Sequence, residues 1–367
     1  MKKKKKILKK LQIDQKKQIG TLIGVPLLLT IIGLFFIFEA SSVSAFRGLG
    51  DSFHYMKLQI IWASLGFFIM IFFSVFDYRK LYYISFPALL ISIIFLILVL
   101  IPGIGTHVAG ARRWISLGSF TFQPTEAAKF SIILYLSSWF LHKERERFVS
   151  FLLLLLFMIG LIMVQPDMGT AIIIFSLFIT IYYFSGESLK YLFFLIPIAF
   201  GGFFFLIATS SYRMRRLMAY INPSIDPEGI GYHIRQILIS LSAGGIIGRG
   251  FASSRQKYQF LPEAHTDSIF AIIGEEVGFI GSFILIVLYL VLMYTLLKTA
   301  KHAKDRFGKL LVSSIFCLLC LQLIINLGGM VGLIPLTGVP LPFISYGGSS
   351  LLVFYSLIGI SISVARR

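Results

Sequence analysis

The sequence predicts an all-α polytopic membrane protein. The expected layout is ten transmembrane helices, cytoplasmic N- and C-termini, and a large extracytoplasmic loop between helices 7 and 8. Three observations predict this. Of its 367 residues 57% are hydrophobic, and the mean hydropathy is +0.87. Apolar runs of about 20 residues, enough to cross a bilayer core, recur along the whole chain. The basic residues are uneven between alternate connections. With the N-terminus inside, 22 of the 34 Lys and Arg fall on inside segments and 12 outside, the bias that orients short-looped membrane proteins.

Taken in order, residues 1–18 form a basic tail with nine lysines in the first 17 positions, suited to anionic lipid on the cytoplasmic side. A single integral-membrane domain then covers 19–365. Hydropathy places spans near 19–39, 57–76, 81–101, 124–141, 148–165, 168–185 and 190–209. After an outer loop of about 210–266 come spans near 267–297, 309–333 and 349–365. The inside connections carry Arg79-Lys80, Lys143-Glu-Arg-Glu-Arg147, Lys190, Lys298 to Lys309 and Arg366-Arg367. In the outer loop, Tyr232–Leu241 has helical apolar spacing and is expected to pack on the membrane surface. Gly244-Gly-Ile-Ile-Gly-Arg-Gly250 is either a turn or a weak phosphate-cradling signal.

The net charge of +18 comes largely from the tail, and the other cations are scattered between spans, so no nucleic-acid partner is expected. Cys317 and Cys320 lie in an apolar run and read as small buried hydrophobes, not a disulfide or metal pair. No cleavable signal-peptide pattern is evident at the start.

Four of the 16 acidic residues fall between Glu263 and Glu276, at the mouth of the eighth span. Carboxylates are costly at a hydrocarbon boundary unless paired or working, so this cluster is a candidate for chemistry. A helix cap and a polar helix contact are the alternative reading. At about 100° per residue, Glu275 would share the side of Asp267, about 12 Å deeper, and Glu276 would face a neighbouring helix. Arg112 and Arg113 beside Trp114 suit a phosphate near the headgroup layer, or an interfacial anchor. Glu126 and Lys129, at i and i+3, could pair. Gln165-Pro-Asp-Met-Gly169 is a tight outward turn in which Asp167 could cap the next helix. Pro340 and Pro342 prevent regular helix before the last span, as expected of backbone lining a cavity.

Jointly these segments resemble the SEDS family (shape, elongation, division and sporulation). The residues that carry the resemblance are Ala111-Arg-Arg-Trp-Ile115, Phe122-Gln-Pro-Thr-Glu126 with Lys129, Gln165-Pro-Asp-Met-Gly169 and Gly231-Tyr-His-Ile-Arg-Gln236. They continue with Leu261-Pro-Glu-Ala-His-Thr-Asp267, Gly274-Glu-Glu-Val-Gly278 and Leu341-Pro-Phe-Ile-Ser-Tyr-Gly-Gly-Ser-Ser350. Ser253-Ser-Arg-Gln-Lys257 looks more like the FtsW branch than the RodA branch. Departures are Ser268 in place of an aromatic, Thr125 in place of Ser, and a less glycine-rich Ser242-Ala-Gly-Gly245.

The resemblance implies a peptidoglycan glycosyltransferase that polymerises lipid II on the outer face of the bacterial cytoplasmic membrane, for division or cell shape. The implied partner is a class B penicillin-binding protein. The family's essential acidic residue corresponds to Asp267. Joining an α-linked pyrophosphate donor to a β-1,4 polymer needs inversion, a base, and positive charge on the leaving group. Asp267 is the candidate base, with Glu263 raising its pKa. Arg112, Arg113, Lys129, Arg213, Arg216 and Lys257 are candidate pyrophosphate contacts. Trp114, Glu126, Gln165, Asp167, His265, Glu275, Ser345 and Tyr346 complete the candidate substrate surface. A divalent cation (Mg or Mn) is open, although no ligand cage is visible in the sequence. A lipid-precursor flippase and a non-catalytic scaffold are the alternative functions. A flippase should show deep cations and inverted halves, and neither is seen.

Overall fold

The computed structural model describes residues 2–108, 111–118, 120–141, 147–222, 224–226, 229–254 and 261–367. Lys257, a candidate pyrophosphate contact, and most of the Lys143–Arg147 charge run lie outside the described residues. Twelve α-helices occur among the described residues: α1 Lys2–Leu49, α2 His54–Val75, α3 Leu81–Leu98, α4 Pro124–Trp139, α5 Arg147–Val164 and α6 Met168–Ser185, then α7 Lys190–Ala208, α8 Ser211–Ile221, α9 Ile230–Gly244, α10 Ile269–His302, α11 Arg306–Met330 and α12 Gly348–Arg366. A 3₁₀ turn, Tyr78–Lys80, leads into α3.

Among the described residues, seven segments are long and apolar enough to cross a membrane: those of α1, α2, α3 with its leading turn, α6, α10, α11 and α12. Two shorter apolar helices, Phe148–Val164 and Lys190–Phe205, join them. α4 has 16 residues and is buried on nearly every side, with Ala128, Ile132, Ile133, Leu134 and Leu136 inaccessible. The interior is thus built from α4, α6, α11 and α12, while the outer faces of α1, α2, α3 and α10 expose Phe, Ile and Leu.

Small residues let the central helices approach. Without water to drive helices together, close backbone packing does the work. Gly359 of α12 shows this: a Cβ there would sit 2.6 Å from the Met70 carbonyl oxygen of α2. α1 runs well beyond the apolar stretch 19–39, because lysine is a good helix former and the tail holds no breaking residue.

The connections gather at two ends. At one end, Gln15 Nε2 of α1 donates to the Ala365 carbonyl of α12 at 2.6 Å, and Arg367 pairs with Asp77 at 2.5 Å. Arg79 pairs with Asp305 at 3.1 Å, and Arg306 donates to the Ser185 carbonyl at 2.8 Å. At the other end, the Gln123 amide donates to Ser349 Oγ at 3.1 Å, and the Tyr346 amide to the His265 carbonyl at 2.9 Å. The residues read as inside connections thus meet each other, and so do those read as outside.

A three-stranded antiparallel meander is added between α3 and α4: β1 Gly105–Val108, β2 Ala111–Leu117 and β3 Phe120–Phe122. Hydropathy does not signal strands this short. In the β1–β2 register Trp114 faces Thr106 and Arg112 faces His107, so Arg113 is the extra residue of a bulge. Bulges re-aim a side chain, and Arg113 is redirected across to the α5–α6 turn.

Candidate active site

Asp267 sits in the turn just before α10, whose N-cap is Ser268. Residues 262–268 form turns, not helix, and Glu263 has a left-handed φ of 50°. The side chains of Glu263 and Asp267 converge on one hydroxyl. Thr266 Oγ1 lies 2.8 Å from Glu263 Oε2 and 3.2 Å from Asp267 Oδ1. A hydroxyl carries one hydrogen. It can serve both carboxylates fully only when one of them is protonated and donates to the Thr266 oxygen. Burial, followed by the Glu263 charge, pushes the Asp267 carboxyl up to about 6, against lowering effects from Thr266 and Arg216. A carboxylate tuned toward neutral pH is a better base than an ordinary aspartate.

The backbone around Asp267 is pinned. Asn326 of α11 uses both amide hydrogens, donating Nδ2 to the Asp267 carbonyl at 2.9 Å and to the Val339 carbonyl at 2.8 Å. The loop before α12 thereby comes against Asp267, and the Asp267 carboxylate would be 3.6 Å from a Cβ placed on Gly338. His265 packs at a tilt against Tyr55, with centroids 4.5 Å apart, and against Tyr346 at 5.6 Å. Burial lowers the pKa of His265. Ser345 Oγ accepts from the Leu341 amide at 2.8 Å, closing its own turn. Gln59 of α2 serves this irregular backbone, donating to the Ser345 carbonyl at 3.3 Å and accepting from the Gly347 amide at 3.2 Å. Ser268 is buried, and its Oγ is 2.7 Å from His233 Nε2. Burial drops His233 to about 4, so it is neutral at pH 7.

The other candidates divide. Arg113 donates to the carbonyls of Gln165 and Pro166, and Arg112 to that of Leu100 at 3.4 Å. Trp114 lies half-buried in β2, where its carbonyl accepts from the Thr106 hydroxyl at 3.0 Å. Gln165 is buried and donates to the Leu96 carbonyl at 3.0 Å. Asp167 caps α6, accepting from the Thr170 amide and hydroxyl at 3.2 and 2.8 Å. Lys129 and Glu126 form a buried pair at 2.6 Å with side chains 1% and 3% exposed, and Glu126 Oε2 has no partner among the described residues. Arg213 and Arg216 lie on α8, which Tyr220 ties to the Leu333 carbonyl at 2.8 Å.

Arg113 is a candidate pyrophosphate contact, so Arg113→Ala is expected to weaken binding of a pyrophosphate-bearing ligand more than Arg113→Lys, which keeps charge but loses the fork. Equal, wild-type binding by both variants in a direct binding assay would leave Arg113 as a structural brace only.

Glu275 departs from the helical-wheel expectation. It is 1% exposed and turns toward the α9–α10 connection, where its Oε2 accepts from Ser254 Oγ at 2.6 Å and Ser240 Oγ at 3.2 Å. Arg249 approaches its Oε1 at 3.7 Å. The reason is that α10 begins at Ile269, so Asp267 is not on its helical wheel; α10 is also broken at Gly278, with φ 66° and ψ −164°. The 244–250 loop docks on that break. The amides of Arg249 and Gly250 donate to the Glu275 and Glu276 carbonyls, and those of Phe279 and Ile280 to the Gly245 and Ile246 carbonyls. A Cβ on Gly248 would come within 2.2 Å of the Glu276 carbonyl oxygen. These glycines serve close backbone packing, and amides spent this way do not cradle a phosphate. Among the described residues no group of three or more His, Cys, Asp or Glu is placed to hold a metal ion.

Asn326, Gln59 and Tyr55 are residues that reading the sequence did not single out, since they come from distant helices and carry no local signal. Thr266 is legible in the sequence only as a possible helix cap, and the cap is Ser268.

Known proteins give the site its context. Residues 20–367 match the FtsW/RodA/SpoVE family profile, described as "Cell cycle protein". Stage V sporulation protein E of Bacillus subtilis is 37% identical over 94% of this chain and 96% of its own. A probable peptidoglycan glycosyltransferase FtsW of Geobacter metallireducens is 38% identical over 92% of each. A solved chain from the work described as "Structural coordination of polymerization and crosslinking by a peptidoglycan synthase complex" superposes with TM-score 0.78 at 26% identity. That match covers 94% of this chain and 96% of the other. Rod shape determining protein RodA of Thermus thermophilus superposes with TM-score 0.70 at 25% identity, covering 95% and 96%. The chain is a multi-pass helical membrane protein and belongs to the FtsW/RodA/SpoVE family of cell cycle proteins.

Proposed function

We propose that this protein is a peptidoglycan glycosyltransferase that polymerises lipid II, with Asp267 as general base. The observation that carries the reading is the convergence of Asp267 and Glu263 on Thr266, with the Asp267 carboxyl raised to about 6. In the proposed step Asp267 takes the proton of the attacking sugar hydroxyl. The new bond forms on the face opposite the departing undecaprenyl pyrophosphate, which gives inversion. Arg213 and Arg216 on α8, with Arg112, Arg113 and Lys257, supply positive charge for the leaving group. Tyr55, His265 and Tyr346 offer an aromatic wall beside the base. Ten helices cross the bacterial cytoplasmic membrane, with the Asp267 end outside, and a class B penicillin-binding protein cross-links the product.

Purified protein with labelled lipid II tests the reading. Polymer ladders support it. Transbilayer movement without polymer would mean a flippase, and neither outcome would mean a scaffold. The orientation is tested separately, in a Cys317→Ser, Cys320→Ser background. Single cysteines at the exposed positions Ser224 and Ser253 should react with an impermeant thiol reagent in intact spheroplasts. Ser254 is unsuitable, being buried against Glu275. Labelling only after permeabilisation would invert the orientation.

A further inference from the structure

We propose that a cleft at the end bearing the basic tail binds the phosphodiester headgroup of an anionic phospholipid. The cleft has a volume of about 540 Å³ and lies between the start of α3 and the α10–α11 connection. Among the described residues its walls carry three cations, Arg79, Lys80 and Arg306, against one carboxylate, Asp305. That carboxylate is occupied. Its Oδ2 accepts from the Tyr78 hydroxyl at 2.5 Å and Arg79 Nε at 3.1 Å, and its Oδ1 from the Gly308 amide at 2.7 Å.

The cations keep charge to spare. Arg306 is held in place by the Ser185 and Leu141 carbonyls, which orient the guanidinium without neutralising it. Lys80 is exposed and has no partner among the described residues, and the Arg79 side chain is 56% exposed. The cleft therefore presents one braced and two exposed cationic donors at a single point on the bundle.

Its position selects a lipid over a soluble anion. α3 begins at Leu81, at the rim, and turns an apolar face outward along its length: Phe86, Leu90, Ile91 and Ile94 are 53, 44, 53 and 53% exposed. Acyl chains hanging from a headgroup in the cleft would lie along that face. Tyr82 and Tyr83 stand where ring and hydroxyl favour the membrane–water boundary. Basic pockets between helices on the cytoplasmic side are the expected form of headgroup sites.

The test is native mass spectrometry of full-length protein released from nanodiscs of equal phosphatidylglycerol and phosphatidylcholine. We expect retained phosphatidylglycerol to fall about five-fold or more in Lys80→Glu, and to a smaller extent in Lys80→Gln. Lys301→Glu, an exposed lysine at the same end but outside the cleft, should match the parent. Equal losses in Lys80→Glu and Lys301→Glu would mean diffuse attraction and overturn the proposal, as would no loss in either Lys80 variant. Displacement of the lipid by inorganic phosphate alone would overturn it in favour of a soluble anion. None of these outcomes depends on glycosyl transfer.

Discussion

Asp267→Asn is expected to fold, bind lipid II and lose polymerisation by about 10²–10⁴-fold, the typical cost of removing a general base. The same variant should be more stable than the parent at pH 7. A carboxyl raised from its ordinary 3.8 to about 6 is stabilised in its protonated form. Its favourable contribution is complete below about pH 4 and is lost as pH rises through 6. Asparagine cannot ionise, so the gap between variant and parent opens over that window. It reaches roughly 1–3 kcal/mol above pH 6 after allowance for partial exposure. A pH series of thermal unfolding, paired with ladder assays, reads both effects. Parent activity should fall as pH drops below about 6. A variant that polymerises at near wild-type rate would remove Asp267 from the chemistry and turn attention to Glu263.

Lys129→Met should be strongly destabilising. It leaves Glu126 buried without its cation, in a site where the second carboxylate oxygen already has no described partner. Breaking a buried ion pair from one side costs about 3–5 kcal/mol, whereas replacing both partners by groups of similar volume is often neutral. The double variant Glu126→Gln, Lys129→Met should therefore recover most of the loss in an unfolding titration. The two carboxylate-bearing sites then behave oppositely: neutralising Asp267 stabilises and inactivates, while unpairing Glu126 destabilises. If Lys129→Met keeps full stability and loses only turnover, the pair contacts substrate and is not a structural strut.

Much of the fold is legible because a bilayer constrains a chain strongly. Apolar length located α2, α11 and α12 to within a few residues, and the alternation of basic connections anticipated which loops meet. The Glu263–Asp267 segment was legible as a site because carboxylates at a span mouth are conspicuous. The rest was hidden for identifiable reasons. The β meander consists of short strands with a bulge at Arg113, too brief for a period-two pattern to emerge. The direction of Glu275 was misjudged by extending a helix back through Asp267, when α10 starts at Ile269 and breaks at Gly278. Asn326 could not be placed beside Asp267, because the bond between them spans 59 positions of sequence.

The break at Gly278 bears on how the protein is made. A continuous helix can enter lipid alone, since its peptide groups satisfy one another. α10 does not form such a helix throughout, because peptide groups on both sides of its break bond to the 244–250 loop. That loop leaves the ribosome before α10 does. The segment following Asp267 must therefore meet an earlier, already positioned loop as it inserts, so that partitioning into the bilayer and tertiary docking are one event. Gly248→Ala, which would press a Cβ onto the Glu276 carbonyl oxygen, should therefore delay maturation of the nascent chain as well as weaken the finished protein.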